Sequence, residues 1–316
     1  MINIITELRS KIEGSKDKYK LYNQKNVLEL PLMIPFGVSI MDFMDDFFMK
    51  YKILLEDSTD IMAKVGIKDH DKIVTYVDEF AAAYKDMYAQ VLSGNMLDAF
   101  QKIYSVLNEN LFILISISSG TFYRARLGVQ YKRKEDFWHI PFPLRYLCDS
   151  YRFSISGYPC LYIGYTKEIC KKEVGNDPCS VIQMELKDQM NLIDLTWDVD
   201  FLKDSSPDTF LMAYPIIAAC YVVPFYCTQN EMSCKEIKAK FKEQYIFPQF
   251  VTMYIKKAFN GKIDGIRYFT TKDPNLNPTN NNGKNIVLFP HFNGTDIEKY
   301  DMSLIDKFDW NEITMM

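Results

Sequence analysis

The stretch that decides how the second half of the chain folds is residues 151–173, which reads YRFSISGYPCLYIGYTKEICKKE. A turn at Gly157 and Pro159 precedes a short apolar and aromatic run, residues 159–165, that predicts a β-strand. Thr166 then stands where an N-cap is expected, and Glu173 falls two turns into the helix that this cap would start. An arginine therefore leads into a strand, and a glutamate is carried on the helix that follows it.

Short β-rich runs of the same kind continue outward from this stretch. The first begins near residue 111, and short helical stretches separate the later ones. The further predicted strands are residues 112–116, 180–186, 216–223, 266–270 and 286–289. Residues 272–284 contain two prolines and an Asn-Asn-Asn-Gly run, so we expect a polar, moving loop there. Residues 111–316 are therefore predicted to form an α+β domain.

Residues 1–110 have helical periodicity instead. Ser39 with Asp42 resembles a capping box, and apolar and aromatic residues then recur at helical intervals as far as residue 107. Such aromatic stripes are what any packed helix requires, so we expect core packing rather than a ligand site. The prediction is a helical accessory region, which could block the site, sense a trigger or mediate oligomerisation.

Composition argues against several classes of partner. Lys and Arg number 37 against 41 Asp and Glu, which gives a formal charge of −4 and no cationic excess for nucleic acid. The longest apolar stretch, residues 111–117, is far short of the roughly 20 residues that a bilayer span needs. The start of the chain lacks the features of a secretory signal. We therefore expect a cytoplasmic protein that binds neither nucleic acid nor membrane.

The cysteines and histidines do not indicate a metal site. The seven cysteines include no C-x-x-C pair, and the chain has only three histidines. Neither a disulfide framework nor a metal centre is expected, and the cysteines are interpreted as packing residues.

Nucleotide binding would need a device other than a glycine-rich loop. Neither G-x-G-x-x-G after a strand nor G-x-x-x-x-G-K-[ST] occurs in the chain. Tyr123 and Arg124 instead follow the predicted first strand and the turn at residues 118–120, which places a guanidinium at the edge of an element. Arginine suits pyrophosphate because its fork of N–H donors matches phosphate oxygens.

Taken in order, these segments resemble the RES family. The family pattern runs from an aromatic-Arg pair, here Tyr123-Arg124, through Arg152-Phe153-Ser154 and a turn, to a Leu-Tyr-aliphatic strand and a helical glutamate. Glu173 matches the catalytic glutamate of that pattern. Residues 245–250 and 264–268 resemble two later family segments, so the resemblance covers roughly residues 118–290. The family's serine falls on Thr270, with Thr271 as the adjacent candidate, so a hydroxyl is kept but an added methyl group crowds the site.

The resemblance implies a fold like that of the ADP-ribosyltransferase toxins: an α+β, split β-sheet core that holds NAD in a cleft between two small sheets. NAD is then the substrate, and no metal is needed. Glu173 would stabilise the ribose cation, Arg124 and Arg152 would hold the pyrophosphate or ribose, and Tyr162 would stack on the nicotinamide. Thr270 would bond the carboxamide or ribose. Tyr123 and His139 are also expected to line the site, although a structural role for His139 is an equal alternative.

Three functions follow from these interpretations. The first is an enzyme that cleaves NAD by hydrolysis, phosphorolysis or ADP-ribosyl transfer, acting as a toxin or defence effector, with an antitoxin or regulatory protein, or a second copy of itself, as a partner. The second is a catalytically silent RES-like module that binds nucleotide or protein, which is motivated by Thr270 and Ser154. The third, a HEPN-type ribonuclease, has little support because its arginine–histidine spacing occurs only at Arg133 and His139, outside the helical region.

Overall fold

The computed structural model describes residues 4–22, 25–175, 177–196, 206–224, 241–272, 283–294 and 299–316. Its helices there are α1 (Ile4–Gly14), α2 (Ile40–Glu56), α3 (Thr59–Lys64), α4 (His70–Leu92), α5 (Met96–Val106), α6 (Lys167–Val174), α7 (Pro207–Cys220), α8 (Ile246–Ala258) and α9 (Met302–Ile305).

The strands in the same residues are all short. They are β1 (Lys20–Leu21), β2 (Lys25–Asn26), β3 (Leu32–Ile34), β4 (Ile113–Ile117), β5 (Thr121–Leu127), β6 (Leu161–Gly164), β7 (Cys179–Leu186), β8 (Met190–Asp194), β9 (Val222–Pro224), β10 (Gly265–Phe269), β11 (Lys284–Leu288) and β12 (Phe308–Met315). The chain forms two compact units, one of Met1–Leu111 with Val199–Tyr254 and one of Phe112–Asp198 with Ile255–Met316. The α+β class is confirmed.

The first unit contains the predicted helices. Ser39 accepts a hydrogen bond from the backbone N–H of Asp42 and so starts α2, as its sequence predicts. The aromatic stripes of α2 and α4 pack edge to face, for example Phe48 against Phe80 at 5.7 Å, and both rings are buried. The prediction that these stripes are core is confirmed. In the described parts of the chain, every helix is too short or too polar to cross a bilayer.

The prediction of a strand at residues 216–223 is wrong. The side chain of Ser206 caps α7, which runs as a helix to Cys220, and only β9 beyond it is extended. Every residue from 213 to 220 is buried, so the apolar run has no polar face by which its period could be recognised. The described residues from 206 to 254 fall within the predicted α+β domain of residues 111–316, but they cluster with the first unit. β9 pairs with β3, and the Tyr51 hydroxyl donates to the carbonyl of Leu211.

The second unit is built on a single sheet, which in the described residues has eight strands in the order β12-β7-β5-β6-β11-β10-β8-β4. Neighbouring strands are antiparallel except β10 and β8, which are parallel. A buried apolar cluster lies on one face, drawn from most of these strands and from α9. This face is the core of the unit.

The sheet is nearly divided in its middle. β5 pairs with β7 over seven positions, but it pairs with β6 at one position only, Tyr123 opposite Gly164. The expected two small sheets are therefore two parts of one sheet, β12-β7-β5 and β6-β11-β10-β8-β4, joined at this point. The predicted likeness of this fold to that of the ADP-ribosyltransferase toxins stays a prediction.

Helix α6 lies against the sheet at this same joint. Thr166 caps it by accepting a hydrogen bond from the backbone N–H of Ile169. A Cβ atom on Gly164 would lie 2.7 Å from the Sγ atom of Cys170, 2.7 Å from a methyl group of Ile169 and 2.9 Å from the Oδ1 atom of Asn285. Position 164 thus favours glycine, because side-chain atoms of the helix and of strand β11 fill the space that a Cβ atom would take.

We expect Gly164→Ala to lower the free energy of unfolding by about 1–3 kcal/mol, since α6 and β11 would have to move apart to admit the methyl group. Gly14→Ala is the matched control, because a Cβ atom there meets nothing within 4 Å. Thermal unfolding followed by circular dichroism compares the two variants. Equal midpoints for both would contradict the close approach at Gly164.

Candidate functional site

One row of residues crosses the middle strands of the sheet beneath α6. Gly164 on β6 pairs with Asn285 on β11, and Asn285 pairs with Tyr268 on β10. Residues directly opposite one another share a face, and so do residues two apart along a strand. Tyr162 is therefore on this face as well, about 7 Å along β6 from Gly164. We call this surface of β6, β11 and β10 the α6 face.

Glu173 is held over the α6 face by a hydrogen bond. The Nδ2 atom of Asn285 donates to the Oε1 atom of Glu173 at 2.8 Å. Asn285 is only 3% exposed, whereas Glu173 remains partly accessible. The carboxylate is thus fixed to the sheet and is neither enclosed by packing nor pointing freely into water.

Arg124 lies opposite Ile182 of β7, a residue of the buried apolar cluster, so it leaves β5 on the core face of the sheet, opposite the α6 face, and its side chain reaches the edge of β6 at the joint. Its Nη1 atom donates to the carbonyl oxygen of Tyr162 at 2.9 Å, while its Nε atom is buried without a hydrogen-bond partner. No carboxylate lies within ion-pair distance of it in the described residues. Burial, and then the neighbouring charge of Arg126, lower the pKa of Arg124 to about 9. Arg124 is therefore a desolvated cation that lacks a counter-charge, and an anion would supply one.

Tyr162 is also tied to the segment that precedes its strand. Its hydroxyl and that of Ser154 lie 2.8 Å apart, and its ring meets the ring of Tyr151 edge to face at 5.6 Å. Burial raises the pKa of the Tyr162 phenol well above its ordinary value, although part of the side chain is accessible. The phenol is thus neutral at physiological pH, and it can bind through its ring but cannot act there as a base.

The second predicted arginine lies at the end of β10. The Nη2 atom of Arg152 donates to the hydroxyl oxygen of Thr271 at 3.3 Å. Thr270 is 3% exposed, and its hydroxyl oxygen accepts a hydrogen bond from the backbone N–H of Lys272 at 3.1 Å. Of the two threonines at the family's serine position, Thr271 contacts the arginine and Thr270 closes a local turn. Most of the predicted loop at residues 272–284 lies outside the described residues.

Tyr123 and His139 have different surroundings. Tyr123 shares the row of Gly164, and the Nζ atom of Lys167 lies 5.8 Å from the centre of its ring. His139 is 1% exposed, with its Nδ1 atom 2.8 Å from the carbonyl oxygen of Ile140, and its Nε2 atom accepts from the backbone N–H of Asp301. Burial lowers the pKa of His139. Both ring nitrogens are occupied, so the geometry favours the structural alternative for His139 over contact with NAD.

The predicted residues thus meet in pairs, all within the second unit. Arg124 contacts Tyr162, Arg152 contacts Thr271, and Glu173 contacts a residue that the sequence analysis did not single out, Asn285. No hydrogen bond or ion pair joins Glu173 to either arginine in the described structure. Burial raises the pKa of the Cys170 thiol, and the charges of Glu173 and Arg124 both act on it. The carboxylate and the guanidinium are therefore not in direct contact.

The cysteines do not add a nucleophile to this site. Five cysteines are described, and all are buried and outside any disulfide. Burial, and then the charge of Glu173, raise the pKa of Cys170 to about 12, so its thiol is protonated at neutral pH. Cys227 and Cys234 lie outside the described residues. No group of three or more His, Cys, Asp and Glu side chains converges as a metal-binding set in the parts of the chain that the structure describes.

Asn285 is the residue that sequence reasoning missed. It stands in the run Lys284-Asn285-Ile286-Val287-Leu288, where the residues from 286 onward are apolar and buried. A buried amide in an apolar strand needs a hydrogen-bond partner, and this was the available signal. The partner, Glu173, is 112 residues away in the chain and could not be identified without the strand pairing.

Comparison with known proteins gives one relevant likeness. The chain is 29% identical over 158 residues to a Bacillus subtilis (strain 168) protein named "Putative toxin YopC". The aligned part is 44% of this chain and 33% of that protein, so the chain spans about a third of the length of this relative. No family model matches the chain, and no solved structure matches it significantly.

We expect Arg124→Met to leave the protein as stable as the wild type or more stable, because a half-buried cation without a counter-charge is replaced by an apolar side chain of similar volume. Arg267→Met is the matched control. Arg267 donates to Asp194 at 2.7 Å, and the Asp194 side chain is fully buried. Removing this arginine therefore leaves a buried carboxylate without its cationic partner. The control should lose about 3–5 kcal/mol of unfolding free energy. Urea denaturation at pH 7 gives both values, and a comparable loss for Arg124→Met would show that Arg124 is structural.

Proposed function

We propose that the protein cleaves the bond between nicotinamide and ribose in NAD. The observation that carries this proposal is the half-buried Arg124, whose Nε atom is enclosed and which has no carboxylate partner in the described structure, at the same joint of the sheet as the held carboxylate of Glu173. A substrate for this pair needs an anionic part and a part that becomes cationic during the reaction. NAD has both, in its pyrophosphate and its nicotinamide ribose.

The chemistry assigns a role to the carboxylate. Nicotinamide departs readily because its ring nitrogen is already cationic, and its departure leaves positive charge on the ribose. A carboxylate close to that carbon stabilises the charge as it develops, as in glycoside cleavage. Glu173 suits this role because one of its oxygens is held by Asn285 while the side chain remains partly accessible.

The other residues would bind the substrate. Arg124 would pair with the pyrophosphate, and a charge-assisted hydrogen bond would offset the desolvation of its guanidinium. The neutral ring of Tyr162 would stack against the cationic nicotinamide, which contributes on the order of 1 kcal/mol. Arg152 and Thr271 lie at the end of β10, where they would contact the ribose or a phosphate.

The biological role that we propose is that of a toxin. This rests on the name of the Bacillus subtilis relative and is compatible with depletion of NAD, which harms any cell. A toxin that acts in the cytoplasm of its own host needs a restraining partner, which an antitoxin protein or the first unit would provide. Hydrolysis, phosphorolysis and ADP-ribosyl transfer remain alternatives for the fate of the ribosyl group.

We expect the wild-type protein to release nicotinamide from NAD and Glu173→Gln to be slower by on the order of 10²–10³-fold, because the amide cannot compensate the ribose charge. Glu168→Gln is the matched control, since Glu168 is an exposed carboxylate on the same helix. Chromatographic detection of nicotinamide, with phosphate and candidate acceptor proteins varied, gives the rates. Equal rates for the wild type and Glu173→Gln would overturn the proposal.

A catalytically silent module that binds nucleotide is the second candidate. It is favoured by one contact, the hydrogen bond in which the hydroxyl oxygen of Thr270 is occupied by the backbone N–H of Lys272. Calorimetry with NAD separates the candidates. Binding without turnover, unchanged in Thr270→Ser and Thr271→Ser, would support the silent module.

A further inference from the structure

We propose that Asn285 is a positioning residue for Glu173, fixing which oxygen of the carboxylate faces the reacting ribose. This inference rests on the proposed function, because it assigns a role within the same reaction. Asn285 itself is not expected to touch the substrate.

The geometry around Asn285 supports a fixed orientation. Its backbone is in register with Gly164 on one side and Tyr268 on the other, so the strand position is set by two neighbours. Its Oδ1 atom lies over Gly164, at 2.9 Å from where a Cβ atom would be, and its Nδ2 atom donates to Glu173. With one end of the amide above a glycine and the other on a carboxylate, the amide has little freedom to turn.

The chemistry of the amide distinguishes positioning from proton transfer. The –NH₂ group only donates, so it engages the Oε1 atom of Glu173 and leaves the Oε2 atom for the substrate. An amide neither gains nor loses a proton in this pH range, so it holds the carboxylate without competing for the proton.

A purely structural role would not require asparagine. The next three residues of β11 are apolar and buried, and an unpaired amide there would destabilise the sheet. A leucine of similar size would fill the position without a polar group. The presence of an amide that reaches across to helix α6 is explained by what it does to Glu173.

The charged neighbours of the pair define a pH window for testing it. Cys170 faces Glu173 from the same helix, and its thiol is protonated because burial raises its pKa to about 12. Arg124 is protonated below its pKa of about 9. The other charged groups on these two elements are Lys167, Glu168, Lys171 and Lys172 on α6 and Lys284 on β11. Between pH 5.5 and 8, both Arg124 and Cys170 keep their protonation state.

The test is the pH dependence of nicotinamide release by Asn285→Asp. At pH 8 this variant places two carboxylates at hydrogen-bond distance, and their repulsion should lower kcat at least about tenfold with little change in KM. Towards pH 5.5 the pair can share a proton, which restores an O–H donor, so kcat should recover relative to the wild type. Asn285→Leu, which has no donor, should be slow across the whole range.

Two results would overturn the inference while leaving the proposed function intact. One is an active wild type with an Asn285→Asp profile that parallels it, and the other is full kcat in Asn285→Leu. A wild type that releases no nicotinamide under any condition overturns the proposed function itself, and the positioning role with it.

A second measurement does not need the variants at position 285 to fold. The side-chain amide signal of Asn285 in a ¹⁵N–¹H spectrum should move in Glu173→Gln, because its acceptor changes from a carboxylate to a neutral amide. It should stay in place in Glu168→Gln, whose carboxylate is exposed on the same helix. An unmoved signal in Glu173→Gln would show that the hydrogen bond is absent and would overturn the inference.

Discussion

The close approach of helix α6 to the sheet at Gly164 is the constraint on which the rest of the second unit depends. A single glycine lets Cys170 and Ile169 of the helix, and Asn285 of the next strand, lie against the backbone of β6. That approach brings Glu173 within reach of Asn285 and sets it above the row of residues that crosses β6, β11 and β10. The same glycine is the one position at which β5 pairs with β6, so the joint of the sheet and the placement of the carboxylate share one cause.

The polar groups around this joint are not arranged for stability alone. Arg267 is a structural arginine in the same sheet, because it is paired with a buried aspartate. Arg124 has no such partner in the described structure and has a lowered pKa, and it bonds only a backbone carbonyl. A cation that is half-buried in this way costs stability unless an anion binds it. The two arginines therefore differ in that one has a buried carboxylate partner and the other has none among the described residues, and this difference is why we propose an anionic ligand for Arg124.

Much of the local structure could be predicted from the sequence, because it depends on neighbours in the chain. Thr166 as the cap of α6 and Ser39 as the cap of α2 follow from short-range hydrogen bonding. The strand around Tyr162 and the helix that carries Glu173 follow from the same local signals. The helix at residues 207–220 was mistaken in part for a strand, because burial on all sides removes the periodicity that would identify it.

What could not be predicted depends on pairing across long separations. Asn285 reaches Glu173 only because β11 lies beside β6, and the occupied nitrogens of His139 depend on Asp301, 162 residues further along the chain. The resemblance to the RES family selected Arg124, Tyr162 and Glu173 but did not indicate which groups hold them. Strand order, rather than residue type, determines which groups hold these three side chains.

The central claim is that Arg124 and Glu173 bind one dinucleotide at the joint of the sheet. A crystal structure of the Glu173→Gln variant with NAD tests it most directly, because the substitution slows cleavage while keeping the shape of the side chain. The account predicts the pyrophosphate within hydrogen-bond distance of Arg124 and the nicotinamide ribose beside the amide at position 173. NAD bound elsewhere, or with its ribose on the apolar core face of the sheet, would contradict it.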